Sequence, residues 1–330
     1  MEKEMGKVPT LGDLAMFYGD KRNDGQFDNG IWMDILDIPF LQKFEEAGEY
    51  KAVIRTLWID AIGWSKEIRN QYPEIIQIGL SDHPLSTHIS KLSAEQQVGY
   101  IQDLQYLDGI MALTEEERSW YTHAAPTIPV IRAGLPFPVE KYEAKYGHLR
   151  DSKKEFVGIG VGAADNDRNF ISNLLIFREL RKDNPSLKGV FLSIPHQLLS
   201  YCTYMASNFD GVYIHERKDM DSYMEILSKC SLIVSMADRN TPGRIQGEAA
   251  FFKIPVVGSN RLELQNELYP NYASSPYDLD KAIIDARYVL NDPETANFYS
   301  QVAYDTLIKN YDYIPSKKKF EDFLAKVRGE

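Results

Sequence analysis

The sequence predicts an α/β protein of two domains, each built on a parallel β-sheet. The chain has 330 residues, which corresponds to about two domains at roughly 150 residues each. Short apolar runs of strand length alternate with segments in which apolar residues recur at the three-and-four spacing of a helix. This alternation occurs in two series along the chain, and strands that alternate with helices form parallel sheets.

The first series of strands is predicted at residues 14–18, 52–57, 75–80, 109–113 and 128–131. The second series has predicted strands at 156–161, 189–193, 211–214, 232–234 and 255–258, with helices at 171–182, 220–230 and 245–252. Gly134, Pro136 and Pro138, followed by a charged stretch, separate the two series and have the composition of a linker. We therefore expect a first domain over residues 1–140, a hinge or linker over 141–155 and a second domain over 156–312.

The composition is that of a globular protein and excludes several classes. Hydrophobic residues make up 44% of the chain and charged residues 26%. With 37 basic and 48 acidic residues the net charge is −11, which argues against a duplex-binding protein. Two cysteines, Cys202 and Cys230, cannot supply a disulfide framework or a four-ligand zinc site. The start of the chain lacks a signal-peptide pattern and no 18-residue window is apolar, so we expect a cytoplasmic protein without a transmembrane segment.

The most informative stretch is the loop and helix start within residues 235–250. Two domains of this Rossmann-like type imply a cleft, and such sheets bind ligands beyond the carboxyl ends of their strands. A predicted buried strand ends here in a polar loop, and Pro242 and Gly243 permit a sharp turn before a helix begins. N–H groups at a helix start bind anions, and Arg239 and Arg244 add positive charge suited to phosphate. The residues alone leave open an ordinary helix start with exposed arginines.

This stretch resembles the donor loop of the GT-B glycosyltransferases, especially the retaining family 4. The run Asn240-Thr241-Pro242-Gly243 is followed after four residues by Glu248-Ala249 and then by Pro255-Val256-Val257. In the family the loop reads Glu, any residue, Phe, Gly, four residues and Glu-Ala, before a Pro-Val-Val strand. The resemblance implies that the helix N-terminus binds the nucleotide diphosphate and that Glu248 binds the ribose hydroxyls. Asn240 stands where the family has a Glu that contacts the donor sugar.

The resemblance extends over most of the chain. The glycine-rich run 158–169 is similar to the family's first diphosphate loop, in which Arg168 falls on the family's lysine and Gly162 on its arginine. The segment 78–83 is similar to the strand that precedes a sugar-facing residue, so that His83 would donate to a sugar hydroxyl and Asp82 would orient it. Taken alone, an isolated histidine in a loop is more often a solvated or capping residue than a sugar-binding one.

The fold implied is GT-B, with two facing Rossmann-like domains and an interdomain cleft. GT-B chains commonly return their last helix across the hinge, so residues 313–330, an amphipathic pattern, would pack towards the first domain. The lysines at 317–319 leave peripheral membrane contact as another role for this helix.

The predicted function is a hexosyltransferase-type glycosyltransferase that uses a nucleotide-diphosphate sugar, retains anomeric configuration and needs neither metal nor cofactor. The acceptor is left open between a glycan, a lipid, a protein and a modified nucleobase. The alternatives are a non-hydrolysing nucleotide-sugar epimerase and a nucleotide-sugar-binding protein without turnover. The predicted catalytic residues are His83, Asp82 and Arg168. The predicted donor-binding residues are Gly162, Arg168, Asn240, Thr241, Pro242, Gly243, Arg244 and Glu248.

Overall fold

The computed structural model describes residues 13–17, 28–41, 43–57, 61–81, 85, 89–161 and 168–329. The chain divides into two compact units, the first formed by residues 1–136 together with 313–330 and the second by residues 137–312. Each unit contains a six-stranded sheet whose described strand pairs are all parallel. The predicted α/β class with two parallel sheets is confirmed.

The first sheet has the strand order β2-β1-β3-β4-β5-β6. Its strands are β1 (Leu14–Phe17), β2 (Phe40–Leu41), β3 (Ala52–Thr56), β4 (Ile76–Leu80), β5 (Gly109–Ala112) and β6 (Val130–Arg132). The helices between them are α1 (Asp28–Leu36), α2 (Trp64–Gln71), α3 (Ala94–Leu104) and α4 (Glu115–Ala124). All five residues of β3 are buried, as is typical of a parallel strand that is covered on both faces.

The second sheet has the strand order β12-β11-β10-β7-β8-β9. Its strands are β7 (Phe156–Val161), β8 (Gly189–Ile194), β9 (Val212–Glu216), β10 (Cys230–Ser235), β11 (Val256–Ser259) and β12 (Ala273–Ser274). Its helices are α5 (Val139–Tyr146), α6 (Phe170–Asp183), α7 (His196–Ala206), α8 (Met220–Ser228), α9 (Arg244–Phe251), α10 (Glu263–Leu268), α11 (Leu279–Asn291) and α12 (Pro293–Tyr311). The chain starts at β7, runs outward to β9 and then resumes on the other side of β7 at β10. This reversal between β7 and β10 is a topological switch point.

Residues 141–155, which the sequence predicts as a hinge or linker, are instead mostly folded into the second unit. It contains the greater part of α5 and a 3₁₀ turn at Gly147–Leu149, and the boundary between the units falls earlier, at Pro136. Arg150 explains the attachment: its Nε donates to the backbone oxygen of Phe251 at 3.0 Å, and its guanidinium lies 4.5 Å from the Phe251 ring centroid. A charged composition therefore marked a segment that is bound to α9, not a free linker.

The last helix, α13 (Tyr313–Val327), belongs to the first unit although it follows α12 directly. The Phe320 ring lies 6.4 Å from the ring of Trp32 on α1. The Phe323 ring fills the space beside Gly109 of β5, where an added Cβ would come within 2.7 Å of it. Within the part of the chain that the structure describes, no helix is long and apolar enough to cross a membrane.

Candidate functional site

The two loops that the sequence singled out for phosphate binding follow β7 and β10, the neighbouring strands at the switch point. Because β7 and β10 are parallel neighbours, both loops begin at the same edge of the sheet. The side chain of Asn173, fully buried on α6, connects them. Its Oδ1 accepts from the backbone N–H of Met236 at 2.8 Å, and its Nδ2 donates to the backbone oxygen of Arg168 at 3.4 Å. Sequence reasoning missed Asn173, since no local pattern distinguishes it from other helical residues.

The loop after β10 makes a sharp turn into α9. Gly243 has a φ of +83° and stands at the start of the helix, and a Cβ there would come within 2.7 Å of Gln246 Oε1. The backbone oxygens of Thr241 and Pro242 accept from Glu263 and Leu264 at 3.0 and 2.9 Å. These two hydrogen bonds fix the backbone of the loop against the start of α10. In this described stretch α9 has no acidic residue in its first turn and no side-chain cap, so its positive N-terminal end suits an external anion.

Three arginines lie in the two loops and at the start of α9. Arg239 is buried, with 9% of its surface exposed, whereas Arg168 and Arg244 are half-buried. Arg168 directly precedes Asn169, which adopts the left-handed conformation at the start of α6. Asn240 is half-buried and lies between Arg239 and the turn. Both loops thus carry positive charge at the carboxyl edge of the sheet.

Glu248, the predicted ribose-binding residue, is buried on α9 within a polar cluster. Its side chain is 4% exposed; Oε1 accepts from Arg244 Nε at 2.9 Å, and Oε2 accepts from the Tyr223 hydroxyl at 2.5 Å. The Arg244 guanidinium also donates to the Tyr142 hydroxyl at 3.4 Å. Burial, and next the charge of Glu248, raises the pKa of Tyr223 well above its usual value, and burial raises the pKa of Tyr142 to about 12. Both phenols therefore keep their protons at neutral pH, and Tyr223 serves as a donor.

The ring of Phe137 packs against α9 at Gly247, next to this cluster. A Cβ added to Gly247, the neighbour of Glu248, would lie 2.1 Å from the Phe137 ring, so the close approach requires a glycine. Sequence reasoning assigned no role to Gly247. The signal that could have identified Gly247 is its position between the predicted site residues Arg244 and Glu248.

Three predicted site residues, Gly162, Asp82 and His83, lie outside the described residues. The described residue before Asp82 is Ser81, whose Oγ donates to Glu117 Oε2 at 2.9 Å and accepts from the backbone N–H of Leu113 at 3.0 Å.

Glu117 is itself buried on α4 and also accepts from the backbone N–H of Thr114 at 3.0 Å. Burial raises the pKa of the Glu117 carboxyl to about 7. Sequence reasoning missed Glu117, although Thr114 and Glu117 have the spacing of a capping box.

No protein-family model matches this chain, and no curated protein matches it. Several solved structures, in contrast, are similar to this chain. HepE of Anabaena in complex with UDP has a TM-score of 0.72 and 12% identity, over 95% of this chain and 99% of HepE. The E. coli trehalose-6-phosphate protein bound with UDP-2-fluoro glucose has a TM-score of 0.68 and 13% identity, over 91% of this chain and 79% of its own.

A point mutant of TarM of S. aureus, in complex with fondaparinux, α-GlcNAc-glycerol and UDP, has a TM-score of 0.66 and 13% identity. The match covers 84% of this chain, and the chain spans only about 55% of TarM. These similar structures are GT-B glycosyltransferases. The comparison confirms the predicted GT-B fold, with its two parallel α/β sheets.

Proposed function

We propose that this chain is a glycosyltransferase that takes a sugar from a nucleoside-diphosphate donor. The observation that carries the proposal is the switch point of the second sheet, where an arginine-bearing loop follows each of the neighbouring strands β7 and β10 and the second loop leads into α9. Positive groups at the carboxyl edge of a sheet, together with a helix N-terminus, suit an anion of the size and charge of a diphosphate. The similarity to structures solved with UDP or a UDP-sugar favours a uridine donor as the first to be tested.

The chemical task of such an enzyme is to stabilise the diphosphate as it leaves the sugar. Charge develops on its oxygens in the transition state, and preorganised donors at that position lower the barrier. We assign this role to Arg168, Arg244 and the N–H groups at the start of α9. Because these groups supply fixed positive charge, we propose that the transfer needs no metal ion. Retention of anomeric configuration is part of the proposal and rests on the sequence resemblance alone.

The remaining roles follow the same resemblance. Glu248 would accept hydrogen bonds from the ribose, and the backbone of Thr241, Pro242 and Gly243 would contact the donor. Asn240 would contact the sugar, where its amide both donates and accepts, unlike the carboxylate that it replaces. The same resemblance assigns His83 and Asp82 to the donor sugar.

The first experiment measures binding of UDP, GDP, ADP and TDP to the full chain by calorimetry, in the presence of EDTA. We expect one of these nucleotides to bind without added metal. Binding of none, by a chain with a cooperative thermal transition, would refute the proposed function.

The second experiment follows the matching nucleotide sugars by NMR, with and without a panel of glycan, lipid and peptide acceptors. Release of the nucleoside diphosphate with transfer to an acceptor supports a transferase. An altered nucleotide sugar formed without any acceptor would instead identify an epimerase. Binding without any conversion would identify a nucleotide-sugar-binding protein.

A further inference from the structure

We infer that Tyr223 is a positioning residue of the nucleotide site, whose hydroxyl holds the Glu248 carboxylate so that it selects a ribose over a 2′-deoxyribose. The inference rests on the proposed function, because it concerns the nucleoside of the same donor. It goes beyond that function in assigning a sugar selectivity to a residue outside the donor loop.

The contact between Tyr223 and Glu248 joins two successive helices of the second unit, α8 and α9. Tyr223 lies on α8, which follows the edge strand β9, and Glu248 lies on α9, which follows β10. The 2.5 Å separation of the Tyr223 hydroxyl and Glu248 Oε2 is in the range of a charge-assisted O–H···O⁻ bond. Both residues are buried, with exposures of 7% and 3%, so water competes little for this bond.

The Glu248 carboxylate is held at both of its oxygens. Arg244 Nε donates to Oε1 and the Tyr223 hydroxyl donates to Oε2, so the plane of the carboxylate is fixed by two donors from different helices. A carboxylate with a fixed plane presents its two oxygens as a pair of acceptors at a defined spacing. Such a pair matches the two neighbouring hydroxyls of a ribose, whereas a 2′-deoxyribose offers only one.

Packing alone does not require the Tyr223 hydroxyl. A phenylalanine ring would fill nearly the same space, but Oε2 would then lose this donor in a buried place. Loss of this donor weakens the hold on Oε2, and the orientation of the acceptor pair becomes less constrained. The hydroxyl therefore has a role that a purely structural ring would not have.

The chain offers a matched control in Tyr142. Its side chain is also buried and lies in the same cluster, but its hydroxyl accepts from Arg244, whereas that of Tyr223 donates to Glu248. Tyr142→Phe thus removes a comparable buried hydroxyl and leaves both contacts to the carboxylate in place.

The experiment measures dissociation constants for UDP and 2′-deoxy-UDP by calorimetry on the wild type, Tyr223→Phe, Tyr142→Phe and Glu248→Gln. 2′-Deoxy-UDP lacks one of the two hydroxyls that would donate to Glu248. Because a hydrogen bond to a charged group contributes this much to binding, we expect the wild type to prefer UDP by roughly 10-fold to 100-fold. We expect Tyr223→Phe to reduce this ratio to within about threefold of unity, as Glu248→Gln does, while Tyr142→Phe retains it. Thermal unfolding confirms that each variant is folded, and Glu248→Gln provides the second test if Tyr223→Phe is not.

The outcomes separate the inference from the proposed function. If the wild type binds none of the four nucleoside diphosphates, the proposed function fails and this inference fails with it. If the wild type binds UDP without a ribose preference, or if Tyr223→Phe weakens both ligands equally and keeps the ratio, the inference alone is overturned. A loss of the ratio in Tyr142→Phe as large as in Tyr223→Phe would assign the effect to the packing of the cluster, and would also overturn it.

Discussion

Arg168 lies between β7 and α6, at the end of the first of the two phosphate-type loops. Its backbone oxygen is fixed by Asn173, and its half-buried side chain adds little to the core. We predict that Arg168→Ala weakens nucleoside-diphosphate binding by roughly 1.5–3 kcal/mol, the contribution of a charge-assisted contact. Turnover should fall about 100-fold, because the leaving diphosphate loses a stabilising charge.

Arg178→Ala is the matched control for this prediction. Arg178 lies on α6, the helix that follows Arg168, and its side chain is more than half exposed and pairs with Glu179 at 3.2 Å. Calorimetry and initial rates on both variants decide whether Arg168 binds the diphosphate or is only a surface residue. Equal behaviour of the two variants would make Arg168 an ordinary surface residue.

Glu117 makes the stability of the first unit depend on pH. Burial raises the pKa of its carboxyl from the usual 4.5 to about 7, so the folded chain holds a proton that the unfolded chain releases between these values. The free energy of unfolding should therefore fall as the pH rises from about 4.5 to about 7, by about 3 kcal/mol from this group, and stay level above that.

Glu117→Gln removes this titration and keeps the shape of the side chain. Denaturant unfolding of the wild type and the variant at pH 5 and pH 7.5 isolates the contribution of Glu117. We expect the wild type to lose stability relative to the variant on going to pH 7.5. A constant difference at the two pH values would show that Glu117 does not titrate in this range in the folded chain.

At the scale of elements, two helical glycines should respond in opposite directions to alanine. A Cβ on Gly247 in α9 would lie 2.1 Å from the Phe137 ring, so Gly247→Ala should destabilise the chain by roughly 1–3 kcal/mol through overpacking. A Cβ on Gly99 in α3 would meet only Ile62, at 3.5 Å. Gly99→Ala should stabilise by up to about 1 kcal/mol through helix propensity. Chemical denaturation measures both, and equal signs would contradict the geometry.

The sequence predicted the elements that carry a strong period and missed those that depend on a partner. The strand at 156–161 and the helix at 171–182 match β7 and α6 within a residue at each end. The strands β2 and β12 were not predicted, since two residues are too few to show alternation, and each exists only through its pairing with β1 or β11.

The same distinction applies within the candidate site. The turn at Gly243 and the anion-binding end of α9 were predictable, because glycine, proline and the following helical pattern are local signals. The contact of Tyr223 with Glu248 spans 25 residues, and that of Asn173 with Met236 spans 63. Neither pair has a spacing that a single sequence reveals, because the sheet order brings them together.

At the scale of the whole molecule, the chain leaves the first unit after Pro136 and returns to it at Tyr313. Each unit has its own sheet, and in each a buried phenylalanine covers a strand glycine. Phe323 of α13 packs beside Gly109 in the first unit, and Phe177 of α6 packs beside Gly189 in the second. Both rings are at most 2% exposed, so truncation to alanine should cost roughly 3–5 kcal/mol in either place.

We predict that these two substitutions act on different units. Hydrogen exchange followed by mass spectrometry should show faster exchange over β3, β4 and β5 in Phe323→Ala, with the strands of the second sheet unchanged. In Phe177→Ala the faster exchange should lie over β7 and β8, with the first sheet unchanged. The reason is that a destabilised core opens its own cooperative unit before the rest of the chain. Faster exchange over both sheets in either variant would show instead that the two units unfold together. In Phe323→Ala it would also show that α13, although last in the sequence, stabilises the entire molecule.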